Sequence, residues 1–323
     1  MLRAKYIKLI VLLALILNKQ SYGQSFESIW YEMQYNYNQL KSKFLDNADS
    51  QKYLTQHWKI AANEIENLLQ GPPNINFLSN YYVGQNMVRN DFNRTQKFEE
   101  CFLEHCVSQK SKEIIKKFKD NDNNLLTKPS KFNLSVNTLG HLFYATKVLE
   151  NVKTDPKRII EFGGGYGNLA HVFKQIYPQS SILIFDIPAS IALQYLFLKY
   201  TNHNAKIIIL DEPVSDLQAG TIYLVPINLL EEFNIKADVF ISTFAITESS
   251  QYIQNLAVKK KFFDANLIYI AGQLNGWKES GHAWMTEHTQ LIDNIRLNYK
   301  TVNCSPFHHF EEKLMSYELI GSK

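Results

Sequence analysis

Two rhythms of apolar residues divide the chain. Phe26, Ile29, Trp30, Met33 and Tyr37 recur at spacings of three and four, and so do Trp58, Ile60, Ala61, Ile65 and Leu68. Such spacing lines up one face of a helix. Gly71-Pro72-Pro73 breaks the second run. The polar stretch from Lys119 to Asn124 reads as a linker or surface loop. A new helix is expected from Ser135 to Val148, with Ser135 or Asn137 as its N-cap. Residues 24–150 are therefore expected to form a helical accessory region that lends part of a substrate pocket.

Beyond residue 155 the rhythm changes. Arg158 to Phe162 is a short apolar run leading into glycines; Ile182 to Phe185, Ile207 to Leu210, Ile222 to Val225, Val239 to Ser242 and Leu267 to Ala271 are further strand candidates. Between them, Leu169, Val172, Phe173 and Ile176 mark a helix stopped by Pro178. Other helices are expected from Pro188 through Leu198 and from about Thr247 to Phe262. Alternation of this kind implies βαβ units. Residues 151–323 are expected to be an α/β domain with a doubly wound, mainly parallel sheet. Thr301 to Cys304 and Ser316 to Ile320 lie too close together for a crossover helix, so an antiparallel hairpin at one sheet edge is expected.

Composition narrows the classes. The 323 residues are 45% hydrophobic and 20% charged, which suits a folded globular protein of about two domains. A net charge of +3, without a basic stripe, gives no footprint for nucleic acid. Cys101, Cys106 and Cys304 form no CxxC, so no disulfide framework or zinc site is expected, and the three read as buried reduced thiols. His308 and His309 stand beside Glu311 and Glu312, but adjacent histidines point apart; no metal is expected. Arg3, Lys5 and Lys8 precede the apolar run Leu9 to Leu17, with small residues Ser21 and Gly23 ahead of Gln24. Residues 1–23 thus look like a secretory signal; an uncleaved anchor or a packing helix are the alternatives. Membrane contact is expected only through this segment.

The most informative segment is Ile159-Ile-Glu-Phe-Gly-Gly-Gly-Tyr-Gly167, a strand running into a glycine turn with a helix directly after it. Glycines there allow positive φ and close approach of a ligand, and such a loop at the carboxyl end of a central strand is where open α/β sheets bind ligands. Gly165, Gly167 and Ala170 satisfy a variant of the dinucleotide fingerprint, so the glycines alone leave NAD open. Glu161 argues against it, because a carboxylate at this strand end would repel a pyrophosphate and welcome a cation. Asp186 ends the next strand, where it can accept hydrogen bonds from ribose hydroxyls; an Asp ahead of Ile187-Pro188 can equally serve the following helix as a cap. The candidate cofactor residues are Glu161, Gly163, Gly164, Gly165, Gly167, Asp186 and Ile187, with Asn228, after the strand Ile222 to Val225, added by position.

The run Glu161-Phe-Gly-Gly-Gly-Tyr-Gly-Asn-Leu-Ala170, then Tyr177-Pro178, then Ile184-Phe-Asp-Ile-Pro188 resembles class I S-adenosylmethionine-dependent methyltransferases. It is similar to small-molecule O-methyltransferases and closer to a bacterial family of sugar O-methyltransferases. The resemblance also touches Ser135 to Tyr144 and Ala237 to Glu248, and covers residues 130 to 275, more weakly the helical part before. It implies S-adenosylmethionine as cofactor and a hydroxyl of a sugar or glycan precursor as acceptor. Methyl transfer to oxygen needs a base on the acceptor side. Glu248, after the fourth strand, is the first candidate; the similar O-methyltransferases carry a His-Asp pair near this place, and here Thr247 and Glu248 stand there without the histidine. A carboxylate at the start of a helix also simply complements its N-terminus. His282 and His288 are the other candidates, with Trp284 between them able to stack on a sugar face; His141 is similar. Two other functions stay open: an NAD-linked enzyme, and an exported, non-enzymatic domain that keeps the fold. The signal-like start and a cofactor used in the cytosol point to different compartments.

Overall fold

The computed structural model describes residues 24–45, 52–88, 108–119, 125–128, 130–202, 205–273, 289–306 and 316–323. The signal-like segment, Cys101, Cys106, His282, Trp284, His288, and the His308 to Glu312 group lie outside them.

Among the described residues, four helices come first: α1 (Phe26–Phe44), α2 (Gln56–Gln70), α3 (Tyr81–Met87) and α4 (Gln109–Lys117). On α1 the expected face is the buried one, extended by Leu40 and Phe44. Ser25 starts it by accepting from the Ser28 N–H, as Thr55 does for α2 from Trp58. On α2 the face is turned slightly from the expected one. Ala61, Ile65 and Leu69 are buried, while Ile60 is 50% exposed. α5 (Val136–Asn151) follows, and its N-cap is Ser135, whose hydroxyl accepts from the Thr138 N–H. Asn137 has other partners, described below.

The α/β part then runs β1 (Arg158–Phe162), α6 (Asn168–Ile176), β2 (Ser181–Asp186), α7 (Pro188–Thr201), β3 (Lys206–Ile209), β4 (Thr221–Pro226), β5 (Val239–Thr243), α8 (Ala245–Glu248), α9 (Gln251–Lys259), β6 (Leu267–Gln273), α10 (Thr289–Asn298), β7 (Thr301–Pro306) and β8 (Ser316–Ser322). One sheet of eight strands results, in the order β3-β4-β2-β1-β5-β6-β8-β7. All pairs are parallel except those made by β8, which runs antiparallel between β6 and β7. The expected hairpin is present, with its second strand inserted inward. Cys304 is exposed, against expectation, because β7 is the sheet's edge.

Helices α5, α6 and α7 cover one face of the sheet. On α7 all residues but Lys199 and Tyr200 are buried, because the sheet lies on one side of it and α1 on the other. Phe26 meets Tyr200 edge-on at 5.2 Å, and Tyr195 Oη donates to Glu32 at 2.6 Å. The N-terminal helices therefore share one continuous apolar core with the sheet. On the opposite face, residues 261–264 turn left-handed with φ between 50° and 56°. Such a turn costs about 1–2 kcal/mol per residue; burial of Phe262 on Phe240 and Phe263 on Phe185 offsets it. The single helix expected from Thr247 to Phe262 is instead α8, a break at Ser249, and α9 with Ser250 as its own cap.

Trp30 is fully buried on α1 and its indole donates to the Gly71 carbonyl at 3.2 Å. Trp30→Ala is expected to cost about 3–5 kcal/mol, the scale for removing a buried aromatic side chain. Urea denaturation followed by circular dichroism checks this; a loss below 1 kcal/mol, or a separate early transition for the N-terminal helices, would show that the shared core does not hold.

Candidate functional site

The site gathers at the carboxyl ends of β1, β2 and β5. Glu161 is paired in register with Ile184 on one side and Ile241 on the other. Its side chain is 2% exposed, and among the described residues Oε2 has no hydrogen-bond partner. Burial, and then the neighbouring Asp186 carboxyl, push its pKa up to about 8. Asp186 ends β2, half-buried. It accepts from the Gly164 N–H at 2.9 Å, from Gln194 Nε2 at 2.7 Å and, through Oδ1, from the Ile187 N–H at 2.8 Å. Burial still outweighs these bonds and lifts its pKa to about 7. Two acids thus meet on adjacent strand ends, one of them with a buried oxygen that no described residue bonds.

The loop between β1 and α6 lies directly over this pair. Gly163, Gly165 and Gly167 have φ of 75°, 55° and 98°, the left-handed region that favours glycine. Their surroundings differ. A Cβ on Gly163 would fall 1.9 Å from Ala245 Cβ, one on Gly164 2.5 Å from Ile184, and one on Gly167 3.1 Å from Leu198. Those three glycines allow protein to pack on protein. At Gly165 the nearest atom would be Met87 Cβ at 3.7 Å, so this is the position with room for a ligand against the backbone. Gln194 holds the loop to the strand end, donating to the Gly165 carbonyl at 3.1 Å as well as to Asp186. Sequence reasoning passed over it, although a lone amide in the apolar run Ile191 to Leu198 was a usable signal. Ile187, 8% exposed, is the N-cap residue of α7 and offers its N–H to Asp186.

The N-terminal helices roof the loop. Met87 ends α3 above Gly165. Asn137 Nδ2 lies 2.8 Å from Tyr166 Oη and 3.4 Å from the Met87 carbonyl, joining loop and roof. Asn168 Nδ2 lies 3.2 Å from Thr138 Oγ1 and 2.9 Å from His141 Nδ1, which places His141 against the start of α6. Asn228, beyond β4, donates to the Phe44 carbonyl at 3.3 Å, so its amide ties α1 down at the end of β4.

The β5 exit supplies the third side. Phe244 has φ 68°, unusual for a residue with a side chain, and its N–H donates to the Ala271 carbonyl at 2.7 Å. Residues held in sparsely populated backbone regions cluster at functional sites. Glu248 ends the one-turn helix α8 and so stands in its first turn, not at the start of a long helix as expected. Burial pushes its carboxyl up to about 7, against a hydrogen bond with the Trp58 side chain of α2. Among the described residues, no cluster of three His, Cys, Asp or Glu is placed to hold a metal ion, and no helix is long and apolar enough to cross a membrane.

Residues 121–208 match the model of the O-methyltransferase domain family, a span that includes the glycine loop, Asp186 and Gln194. The match takes in β1, α6, β2 and α7 and ends within β3. The sheet of the α/β unit is the doubly wound, mainly parallel one expected. Among solved structures, the chain is similar to an O-methyltransferase family protein from Burkholderia thailandensis, at 12% identity over 58% of this chain and 60% of that one, TM-score 0.40. It is similar to PigF with SAH, at 13% identity over 56% and 61%, TM-score 0.37. It is also similar to the small RNA methyltransferase HEN1, at 15% identity over 56% of this chain but 24% of that one, TM-score 0.40. The chain thus spans less than two thirds of the length of each of these three relatives. A comparison with curated proteins gives no match.

The site fits S-adenosylmethionine: Glu161 and Asp186 suit a ligand with cationic and hydroxyl groups, and Gly165 leaves it room. Two outcomes follow. Both acids have folded pKa values above their ordinary 4.5 and 3.8, so the ligand-free fold holds protons that the unfolded chain releases. Its stability is then expected to fall as pH rises from about 4 to 8. The cationic ligand favours the ionised acids, so its affinity should rise over the upper part of that window and its binding should release protons. Calorimetry in buffers of different ionisation enthalpy measures this, and a pH-independent dissociation constant without proton release would remove the acid pair from the site. In addition, Gly165→Val should stay folded yet lose binding, because the side chain would fill the ligand's space and strain a positive φ. Retained binding in that variant would place the ligand elsewhere.

Proposed function

We propose that the chain is an S-adenosylmethionine-dependent O-methyltransferase whose acceptor is a hydroxyl of a sugar or glycan precursor. The observation that carries this reading is the buried oxygen of Glu161, without a partner among the described residues, beside Asp186 and under the open side of Gly165. When bound, the cofactor supplies a sulfonium methyl group.

The acceptor would enter between the β5 exit and the roof, where Glu248 and Trp58 meet. An aromatic body can cover the C–H face of a sugar while a carboxyl meets its hydroxyls, and Trp58 with Glu248 offers that combination on described residues. Burial, which raises the Glu248 pKa, favours the protonated carboxyl, which can donate to a hydroxyl as well as accept from it. His282, His288 and Trp284 remain candidates on the same chain. Met87 over Gly165 and the Asn137 bridge would keep water from the cofactor and fix the direction of approach.

Calorimetry with S-adenosylmethionine, S-adenosylhomocysteine and NAD tests the cofactor. Transfer of a labelled methyl group to a panel of methyl glycosides, with a small RNA as control, tests the acceptor. NAD binding alone, or methylation of the RNA and of no glycoside, would overturn the reading. Glu248→Ala is expected to lower transfer about 10²–10⁴-fold, the range for a residue that handles the proton, with cofactor affinity within about twofold of the parent. Loss of cofactor binding in that variant would place Glu248 on the cofactor side instead.

A further inference from the structure

A carboxylate has a limited number of places to offer a ligand. Once ionised it donates nothing and accepts at about four positions, two on each oxygen. At Asp186, described residues of the chain itself take three of them. Oδ2 accepts from the Gly164 N–H at 2.9 Å and from Gln194 Nε2 at 2.7 Å, so both of its positions are filled. Oδ1 accepts from the Ile187 N–H at 2.8 Å and keeps one. Ser190, one turn before Gln194 on α7, is buried with its hydroxyl near the same carboxyl, yet completes no hydrogen bond among the described residues.

Gln194 differs in kind from the two backbone donors. Gly164 and Ile187 flank the strand end and bond Asp186 whatever their side chains are. Gln194 reaches it only because this side chain is an amide. The orientation of that amide is fixed by its surroundings. Nε2 faces two acceptors, the Asp186 carboxyl and the Gly165 carbonyl at 3.1 Å, so nitrogen and not oxygen must point there. Oε1 is left buried with no hydrogen-bond partner among the described residues. An unpaired buried oxygen is a cost to the fold, borne here by the side chain that keeps both donors on the site.

We propose that Gln194 is a positioning residue that limits Asp186 to one ribose hydroxyl of the cofactor. It fills the Oδ2 position that a second hydroxyl would need and leaves the free position of Oδ1 to the first. This rests on the S-adenosylmethionine reading of the site, with Asp186 as the residue that meets the ribose. Of the two neighbouring ribose hydroxyls, the chain then reads one and is indifferent to the other.

Calorimetry of the full chain with S-adenosylhomocysteine and with its 2′-deoxy and 3′-deoxy forms tests this. The measurement is made at about pH 8.5, above the Asp186 pKa of about 7. One deoxy compound is expected to bind about 10–100-fold more weakly than S-adenosylhomocysteine, the scale for losing a hydrogen bond to a charged group, and the other within about threefold of it. Gln194→Ala opens the second position, so both deoxy compounds should bind that variant more weakly than S-adenosylhomocysteine does. A purely structural role for Gln194 would weaken all three compounds alike. Nitrogen-15 NMR of the parent chain needs no variant: the Gln194 side-chain amide, assigned through its own carbons, should keep its shift and slow proton exchange when S-adenosylhomocysteine binds. Equal weakening of both deoxy compounds, weakening of neither, a one-sided pattern retained in Gln194→Ala, or an amide released on binding would overturn the role of Gln194 while the cofactor reading stands. Failure of the parent chain to bind either S-adenosylmethionine or S-adenosylhomocysteine would remove that reading and this inference together.

Discussion

Two carboxyls that share the ends of adjacent parallel strands set the terms for everything around them. Glu161 and Asp186 cannot both ionise in a buried place without a counter-charge. The fold supplies hydrogen bonds to one of them and leaves an oxygen of the other unused. A fold selected for stability alone would pair or replace Glu161. A cationic ligand of the kind proposed would supply the missing counter-charge, and of the loop's four glycines Gly165 is the one with open space beside it.

The cradle is then completed from far along the chain. Gln194 on α7 joins the Gly165 carbonyl to Asp186, and α7 is itself pressed onto the sheet by α1. Asn137 on α5 joins Tyr166 of the loop to the end of α3. The N-terminal helices therefore act on the site twice, as support behind α7 and as the roof above the loop. Their contacts join them physically to the glycine loop and to the helix that carries Gln194.

Much of this was legible in the sequence because it is local. The strands, the glycine turn, Glu161 and Asp186 are fixed by runs of a few residues, and alternating apolar segments determine the sheet around them. The contacts that the sequence did not disclose are long-range. Nothing near Met87 says that it will lie on Gly165, and nothing near Asn137 says that it will meet Tyr166. The break at Ser249 was hidden for a different reason: the apolar period continues through it, while the serine at 250 and the positive φ of Phe244 redirect the backbone. That break is what brings Glu248 to the end of a single turn.

The division between near and far contacts also separates what the site does. The cofactor side is made of β1, β2 and the loop that joins β1 to α6, all within the span that matches the O-methyltransferase domain family. The acceptor side proposed above combines Glu248 with Trp58 on the first turn of α2, both outside that span. On the proposed reading, the donor lies at strand ends that a parallel sheet always presents at one edge, and the acceptor meets the place where the roof joins the β5 exit. A change at Trp58 would then alter what is methylated without disturbing Glu161 and Asp186.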